Sequence, residues 1–245
     1  MAKFSVILAA AGTSRRFHDK HYKKPFIPLN DRAVWLHSAE KFLHRDDVKQ
    51  LILIINQEDR ESFDMKFSAN VAILGVDVVI GGRERSDSIR NALERVRADI
   101  EFVAVHDAAR PCLAPEWITA VFSAAETSGA AILAVPVAGT LKKAGADRVV
   151  QETVPRESVW EAQTPQVFRR QLLLDAYAQG TTQPVTDDAQ LVEMLGHPVT
   201  IVPGSPINLK ITTKEDLRLA AQAIKALPKP RITGPAHPFA DDMWR

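Results

Sequence analysis

Cysteine is nearly missing. Cys112 is the only one in 245 residues, so neither an intrachain disulfide nor a cysteine-built metal centre can form, and a reducing cytoplasm is the expected compartment. Net charge is nearly missing as well, +1 from 31 basic and 30 acidic side chains. That removes the global positive field by which proteins attract nucleic acid, and any anion site must be a local cluster. No apolar run is long enough to span a membrane. The opening MAKFSVILAAAG lacks the layout of a secretory leader and reads as a first strand. Several motifs are absent: GxxxxGKS or GxxxxGKT, which excludes a P-loop, and GxGxxG, which excludes the usual dinucleotide turn. GxSxG and HExxH are also absent, which argues against a serine hydrolase of the elbow type and a zinc protease.

What is present suits a large α/β domain. The chain is 46% hydrophobic and 25% charged, ordinary values with enough apolar material for a sizeable core. Short apolar runs at Phe4 to Ala10, Leu51 to Ile55 and Val76 to Gly82 are expected as buried strands, and Phe102 to Pro111 as a strand running into a polar turn. Between and after them, Ala33 to Leu43, Ser86 to Val96 and Glu116 to Gly129 carry helical spacing, and AAILAVPV returns to strand. Nearly continuous apolar strands alternating with helices predict a mostly parallel, twisted sheet covered on both faces. Residues 138–163 break the pattern with two short extended pieces and a Gly-Ala-Asp turn, so a β-hairpin is expected to project there. Helices near Arg169 to Ala178 and Asp187 to Leu195, a strand VTIVPG and a last helix opened by Thr213 and Asp216 follow; that Thr–Asp spacing is a capping box. Residues 1–227 are expected as one domain, and 228–245, with four prolines, as an irregular tail.

Ligands of open parallel sheets bind beyond the carboxyl ends of the strands. Four polar clusters fall at such ends: Gly12 to Lys24, Gly81 to Ser88, His106 to Arg110, and Pro203 to Lys210. Gly12 lets backbone approach a phosphate, and Arg15, Arg16, Lys23 and Lys24 bring charge; the bland alternative is a solvated basic loop. In GGRERSDSI, Ser86 or Ser88 can cap a helix whose start suits an anion or a base edge, or merely closes a strand–helix turn. In HDAARP, Asp107 suits a metal or hydroxyls and Arg110 a phosphate, unless the two form a local ion pair. Lys210 sits between apolar neighbours on an extended segment, where a lysine often only snorkels to water. The remaining histidines show no ligand spacing.

Taken in order, LAAAGTSRRF…KKPFIPL, GGRERSDSI, VHDAARP, GTLKKA, TVPRESVWEAQTPQVF, VTDDAQLVE and INLKITTKEDL resemble the 2-C-methyl-D-erythritol 4-phosphate cytidylyltransferase family over about residues 3–226. The resemblance implies a Rossmann-like nucleotidyltransferase that joins CTP to methylerythritol phosphate and releases pyrophosphate, with Mg²⁺ as cofactor. It also implies a homodimer clasped by the arm. By motif it assigns Arg16 and Lys24 to the transition state, and Ala10, Ala11, Gly12, Gly82, Arg85, Ser88 and Asp107 to CTP. Asp107, Arg110, Thr140 and Lys210 fall to the acceptor. Arg156 and Thr164 are expected to reach the acceptor from the neighbouring subunit's arm, and Arg156 and Lys210 count with the catalytic set. Mg²⁺ would be held mainly by the triphosphate, with Asp107 its candidate protein ligand. Ser14 and Phe17 stand where the family has a second glycine and a methionine, and register with PFIPL selects Lys24 over Lys23. The same fold serves ribitol phosphate cytidylyltransferases and could serve a catalytically silent nucleotide-binding module; HDAARP and TVPR favour methylerythritol phosphate.

Overall fold

The run FSVILA forms β1 (Phe4–Ala9), and its side chains divide by alternation. Phe4, Val6 and Leu8 enter one apolar cluster and Ile7 enters another on the opposite face. A strand covered on both sides needs apolar residues at both parities, which is why the run is continuous. In the computed structural model, which describes residues 1–12, 23–180 and 185–228 apart from the side chain of Lys24, the chain continues through β2 (Pro28–Leu29), β3 (Arg32–Ala33), α1 (Val34–Leu43), β4 (Val48–Ile55), α2 (Arg60–Leu74), β5 (Asp77–Ile80) and α3 (Arg85–Leu93). Then come β6 (Phe102–Asp107), α4 (Pro115–Ser128), β7 (Ala130–Pro136), β8 (Leu141–Ala144), β9 (Val150–Val154) and β10 (Trp160–Arg169). The chain ends with α5 (Arg170–Gln179), α6 (Asp188–Met194), β11 (Thr200–Pro203) and α7 (Lys214–Ala223).

The main sheet has seven strands in the order β11-β7-β10-β6-β1-β4-β5. β1 runs parallel to β4 and β6, β4 to β5, and β7 to β11; β10 alone is antiparallel to its neighbours. Trp35 and Phe42 of α1, Phe63 of α2 and Phe122 of α4 pack on one face. Ile89 of α3, Leu173 of α5 and Leu191 of α6 cover the other. α7 closes a smaller cluster with Ile27, Leu29 and Ile211 through Ala220. The order grows outward from β1 through β4 to β5, then returns to β6 on the other side of β1. The carboxyl ends of β1 and β6, where Ala9 is in register with Asp107, therefore flank the topological switch point.

Two elements depart from the sequence expectation. α2 was not foreseen, because Phe63 is its only fully buried residue; Phe67, Val71 and Leu74 complete a thin stripe that is only half-buried. β10 was not expected as a main-sheet strand, since the hairpin reading ran to residue 163; it also contains Pro165, a residue disfavoured in a central strand. The sheet accommodates it because the β10–β7 register shifts between Ala162 and Gln166, leaving Pro165 without a ladder bond there; the Thr164–Pro165 peptide is cis. The projecting hairpin is β8 paired with β9. It is shorter than residues 138–163, because the chain re-enters the main sheet at Trp160, opposite Pro136. The tail from residue 229 lies outside the described residues.

Phe168 of β10 is fully buried among the helices of one face. Phe168→Ala is expected to lower the unfolding free energy by about 3–5 kcal/mol, whereas Met65→Ala at an exposed site of α2 should change it by no more than about 0.5 kcal/mol. Urea unfolding midpoints of the two variants check the contrast.

Candidate active site

A cavity of about 530 Å³ opens at the switch point, and all four polar clusters contribute to its walls. Ala9 to Gly12 follow β1, Gly82 to Arg85 and Ser88 open α3, Asp107 and Ala109 follow β6, and Lys210 with Ile211 closes the far side. The edge expected from topology is thus one shared hollow.

Its glycines differ in their surroundings. A Cβ on Gly12, which lines the cavity, would meet no described residue within 4 Å. A Cβ on Gly82 would lie 2.3 Å from Cβ of Asp87, and one on Gly81 would lie 2.7 Å from Oγ of Ser88 and 2.9 Å from Cβ of Ala11. This pair allows the first turn of α3 to press against the end of β5. The residue at the head of that helix is Glu84, whose N–H donates to the Asp87 carboxylate at 3.2 Å, not Ser86 or Ser88 as the sequence suggested. Ser88 is already inside the helix. Its hydroxyl donates to the Glu84 carbonyl at 3.0 Å and accepts the Gly82 N–H at 3.0 Å, which pins the glycine turn to the helix.

Asp107 ends β6 with its carboxylate beside two cations. Lys210 Nζ lies 2.9 Å and Arg110 Nε 3.4 Å from Oδ2. Burial alone would raise the pKa of this carboxyl, but Lys210, Arg110 and Arg85 outweigh it and hold the group well below the usual carboxylate range. Of the two readings of HDAARP, the contacts describe the local ion pair: Arg110 is buried beside Asp107, with Nη1 donating to the Asn208 carbonyl at 2.7 Å. Lys210 is placed by its neighbours rather than by a strand. Asn208, fully buried, donates through Nδ2 to the Thr164 carbonyl at 2.9 Å and to Gln163 Oε1 at 3.2 Å, and Ile211 N–H donates to the Ala109 carbonyl at 2.8 Å. Lys210 is held between these two anchors.

Below Asp107 runs a chain of hydrogen bonds that the sequence does not announce. Thr164 Oγ1 accepts the Asp107 N–H at 3.0 Å and lies 3.0 Å from Nδ1 of His106, while Nε2 of His106 lies 3.1 Å from the Arg110 carbonyl. A carbonyl can only accept, so Nε2 carries the proton, and Nδ1 accepts from the Thr164 hydroxyl. The ring is neutral: burial pushes its pKa down to about 4. Thr164 is therefore a buried part of its own chain's floor. The expectation that it reaches from a neighbour's arm is corrected, because its hydroxyl is already used by Asp107 and His106.

Thr140 is exposed at the root of the hairpin, and Arg156, on its return, donates through Nη1 to the Ala138 carbonyl. Neither lines this cavity. Arg85 does line it and is paired with Asp188. Asp188 and Gln166 are further buried residues to which the sequence assigns no role; their only signal lies inside TPQVF and VTDDAQ, where a helix-opening Asp pair reads simply as capping. Arg16 lies outside the described residues, as does the side chain of Lys24. The flanking positions are defined: Gly12 and Pro25 both line the cavity, and Lys23 Nζ is paired with Asp59 at 2.9 Å. Phe26 packs at 5.5 Å from Phe63, centroid to centroid, so the segment after the lysine pair is anchored in the core. Among the described residues no group of three or more histidine, cysteine or acidic side chains could hold a metal ion.

A glycine turn after β1, a helix start after β5 and an acid flanked by two cations at the switch point define an α/β protein of the nucleotide-binding, Rossmann-like class. The model of the 2-C-methyl-D-erythritol 4-phosphate cytidylyltransferase family matches residues 4–226. The chain belongs to that family. It is 42% identical over 230 residues to the 2-C-methyl-D-erythritol 4-phosphate cytidylyltransferase of Rhodopirellula baltica, covering 89% of this chain and 93% of that one. It is 37% identical to the chloroplastic 2-C-methyl-D-erythritol 4-phosphate cytidylyltransferase of Oryza sativa, covering 88% and 72%. A crystal structure of the Thermus thermophilus 2-C-methyl-D-erythritol 4-phosphate cytidylyltransferase superposes with a TM-score of 0.74 at 29% identity, covering 89% and 98% of the two chains.

His106 gives the stability a defined pH dependence. Its pKa falls from 6.5 to about 4 on folding, so the unfolded chain takes up the proton first as pH drops. The contribution is fully present above pH 6.5 and is lost by about pH 4, on the order of 3 kcal/mol in all. Urea titrations across this window are expected to show that loss, and His106→Gln should flatten it. The Asp107 contribution, with a lowered pKa, disappears only below the usual carboxylate value of 3.8.

Proposed function

We propose that this chain transfers the cytidylyl group of CTP to 2-C-methyl-D-erythritol 4-phosphate, giving CDP-methylerythritol and pyrophosphate in isoprenoid biosynthesis. The observation that carries the reading is the convergence of Asp107, Lys210 and Gly12 on one cavity, with Arg110 paired to Asp107, in a chain of this family. The acceptor's phosphate oxygen attacks the α-phosphorus as the bond to the pyrophosphate oxygen breaks. That nucleophile is ionised at neutral pH, so no general base is needed; the work is alignment and charge stabilisation.

Residues divide by position. Ala10, Ala11, Gly12, Gly82, Ser88 and Arg85 form the nucleotide wall. Arg16 and Lys24, which fall in sequence between the cavity-lining Gly12 and Pro25, meet the charge gathering at the α-phosphorus. The Lys23–Asp59 pair supports Lys24 in that role, since the charge of Lys23 is already engaged. Asp107 holds Lys210 and Arg110 as a prearranged pair for the acceptor. Asp107, a carboxylate lining the cavity, is shared by these two cations, a donor set that fits Mg²⁺ carried by the triphosphate rather than a protein-built metal site. When bound, Mg²⁺ neutralises triphosphate charge and eases pyrophosphate departure.

We read residues 1–227 as a single nucleotidyltransferase unit, resident in the cytoplasm, and its arm as the contact of a homodimer. No described helix is long and apolar enough to cross a membrane. The β8–β9 hairpin leaves Val149 and Val150 60% and 56% exposed, and an isolated two-stranded hairpin is marginal without a partner surface. A second copy would cover these residues and bring Arg156, with Thr140 beside the arm root, towards the partner's acceptor site.

With CTP, pyrophosphate release is expected to depend on methylerythritol phosphate, and CTP should outperform UTP and ATP. Arg16→Ala and Lys24→Ala should each lower turnover by about 10²–10³-fold, with CTP binding largely kept. Turnover with ribitol phosphate alone, or CTP binding without pyrophosphate from either acceptor, would overturn the reading. Val150→Asp is expected to shift the dimer towards monomer in sedimentation velocity and to weaken acceptor use.

A further inference from the structure

Arg85 lines the cavity, but it is not a free cation. Nη1 donates to Oδ1 of Asp188 at 3.0 Å and Nη2 to Oδ2 at 2.6 Å, a side-by-side fork. Asp188 is completely buried, and the Tyr177 hydroxyl donates to its Oδ1 at 2.5 Å. The backbone behind it is fixed as well: Gln166 Oε1 accepts the N–H groups of Asp188 and Ala189 at 3.2 and 3.1 Å. The guanidinium plane is thus set by three elements, β10, α5 and α6. A buried carboxylate in contact with an arginine cancels most of its charge at a distance, but leaves its other N–H donors in a rigid geometry. Such an arginine is poorly suited to neutralising a phosphate and well suited to an uncharged acceptor oxygen.

We infer that Asp188 and Tyr177 are positioning residues that hold Arg85 as a charge-compensated hydrogen-bond donor for the uncharged sugar or base of the nucleotide rather than for its phosphates. The inference rests on the nucleotide assignment of this cavity and deepens it. The two roles for Arg85 predict opposite signs. If Arg85 recognised phosphate by charge, removing the Asp188 charge would free a cation and tighten CTP binding. If Asp188 orients a donor, its removal weakens binding, and weakens it equally for a nucleoside with no phosphate.

The test uses Asp188→Asn, Tyr177→Phe and Arg85→Gln singly and in pairs, with cytidine and pyrophosphate as competitive probes of CTP turnover. Asp188→Asn is expected to raise the KM for CTP and the inhibition constant of cytidine together by about 10-fold, with kcat, the acceptor KM and pyrophosphate inhibition nearly unchanged. Tyr177→Phe should move the same two constants by a few fold. In the Arg85→Gln background neither substitution should add a further loss. Tighter CTP binding, an unchanged cytidine constant, or additive losses would each overturn the inference. If Asp188→Asn does not fold, the Tyr177→Phe and Arg85→Gln cycle separates the two roles by the same signs. A wild-type protein that neither binds CTP nor releases pyrophosphate would instead sink the cytidylyltransferase reading itself, so the two failures are distinct.

Discussion

A carboxylate buried between two cations at the end of β6 is the interaction on which the active site depends. Asp107 brings Lys210 from a segment far along the chain to within 2.9 Å and gives Arg110 a partner at 3.4 Å. Without it, two positive groups would lie near each other with no counter-charge between them, a costly arrangement. With it, the two share one counter-charge. Beneath the acid, neutral His106 and Thr164 tie the Asp107 backbone to β10, so its place in the sheet is held from below while its charge is held from the side.

The cavity combines two kinds of arginine and lysine use. Lys210 is 43% exposed and meets its acid at one edge only, so its charge remains available to a ligand. Arg85 is forked onto a fully buried acid, so its charge is spent locally and its geometry is what remains. The same cavity wall thus carries one cation with charge to spare and one whose charge is compensated and whose direction is fixed.

Much of the fold was legible because its signals are local. The parity of Phe4, Val6 and Leu8 against Ile7, the glycine pair before α3 and the Thr213–Asp216 capping box all act within a few residues. The switch-point site was legible because topology carries strand ends to one edge. β10 was not, because Pro165 signals a break and only the register shift against β7 makes it tolerable. α2 escapes notice because its buried stripe is thin. The roles of Asp188, Asn208 and Gln166 are hidden for another reason: each acts on a residue remote in sequence, and a side chain's long-range partner leaves no mark on its own neighbourhood.

The arm's return and the floor under Asp107 belong to one strand, β10: Trp160 pairs with Pro136 where the hairpin meets the body, and Thr164 lies further along it beneath the acid. Length variation is therefore not equally admissible along this segment. Residues added at the hairpin tip leave this strand untouched, whereas one residue gained or lost between Trp160 and Thr164 would invert strand parity, turning the threonine hydroxyl from the histidine and removing the support beneath the acid.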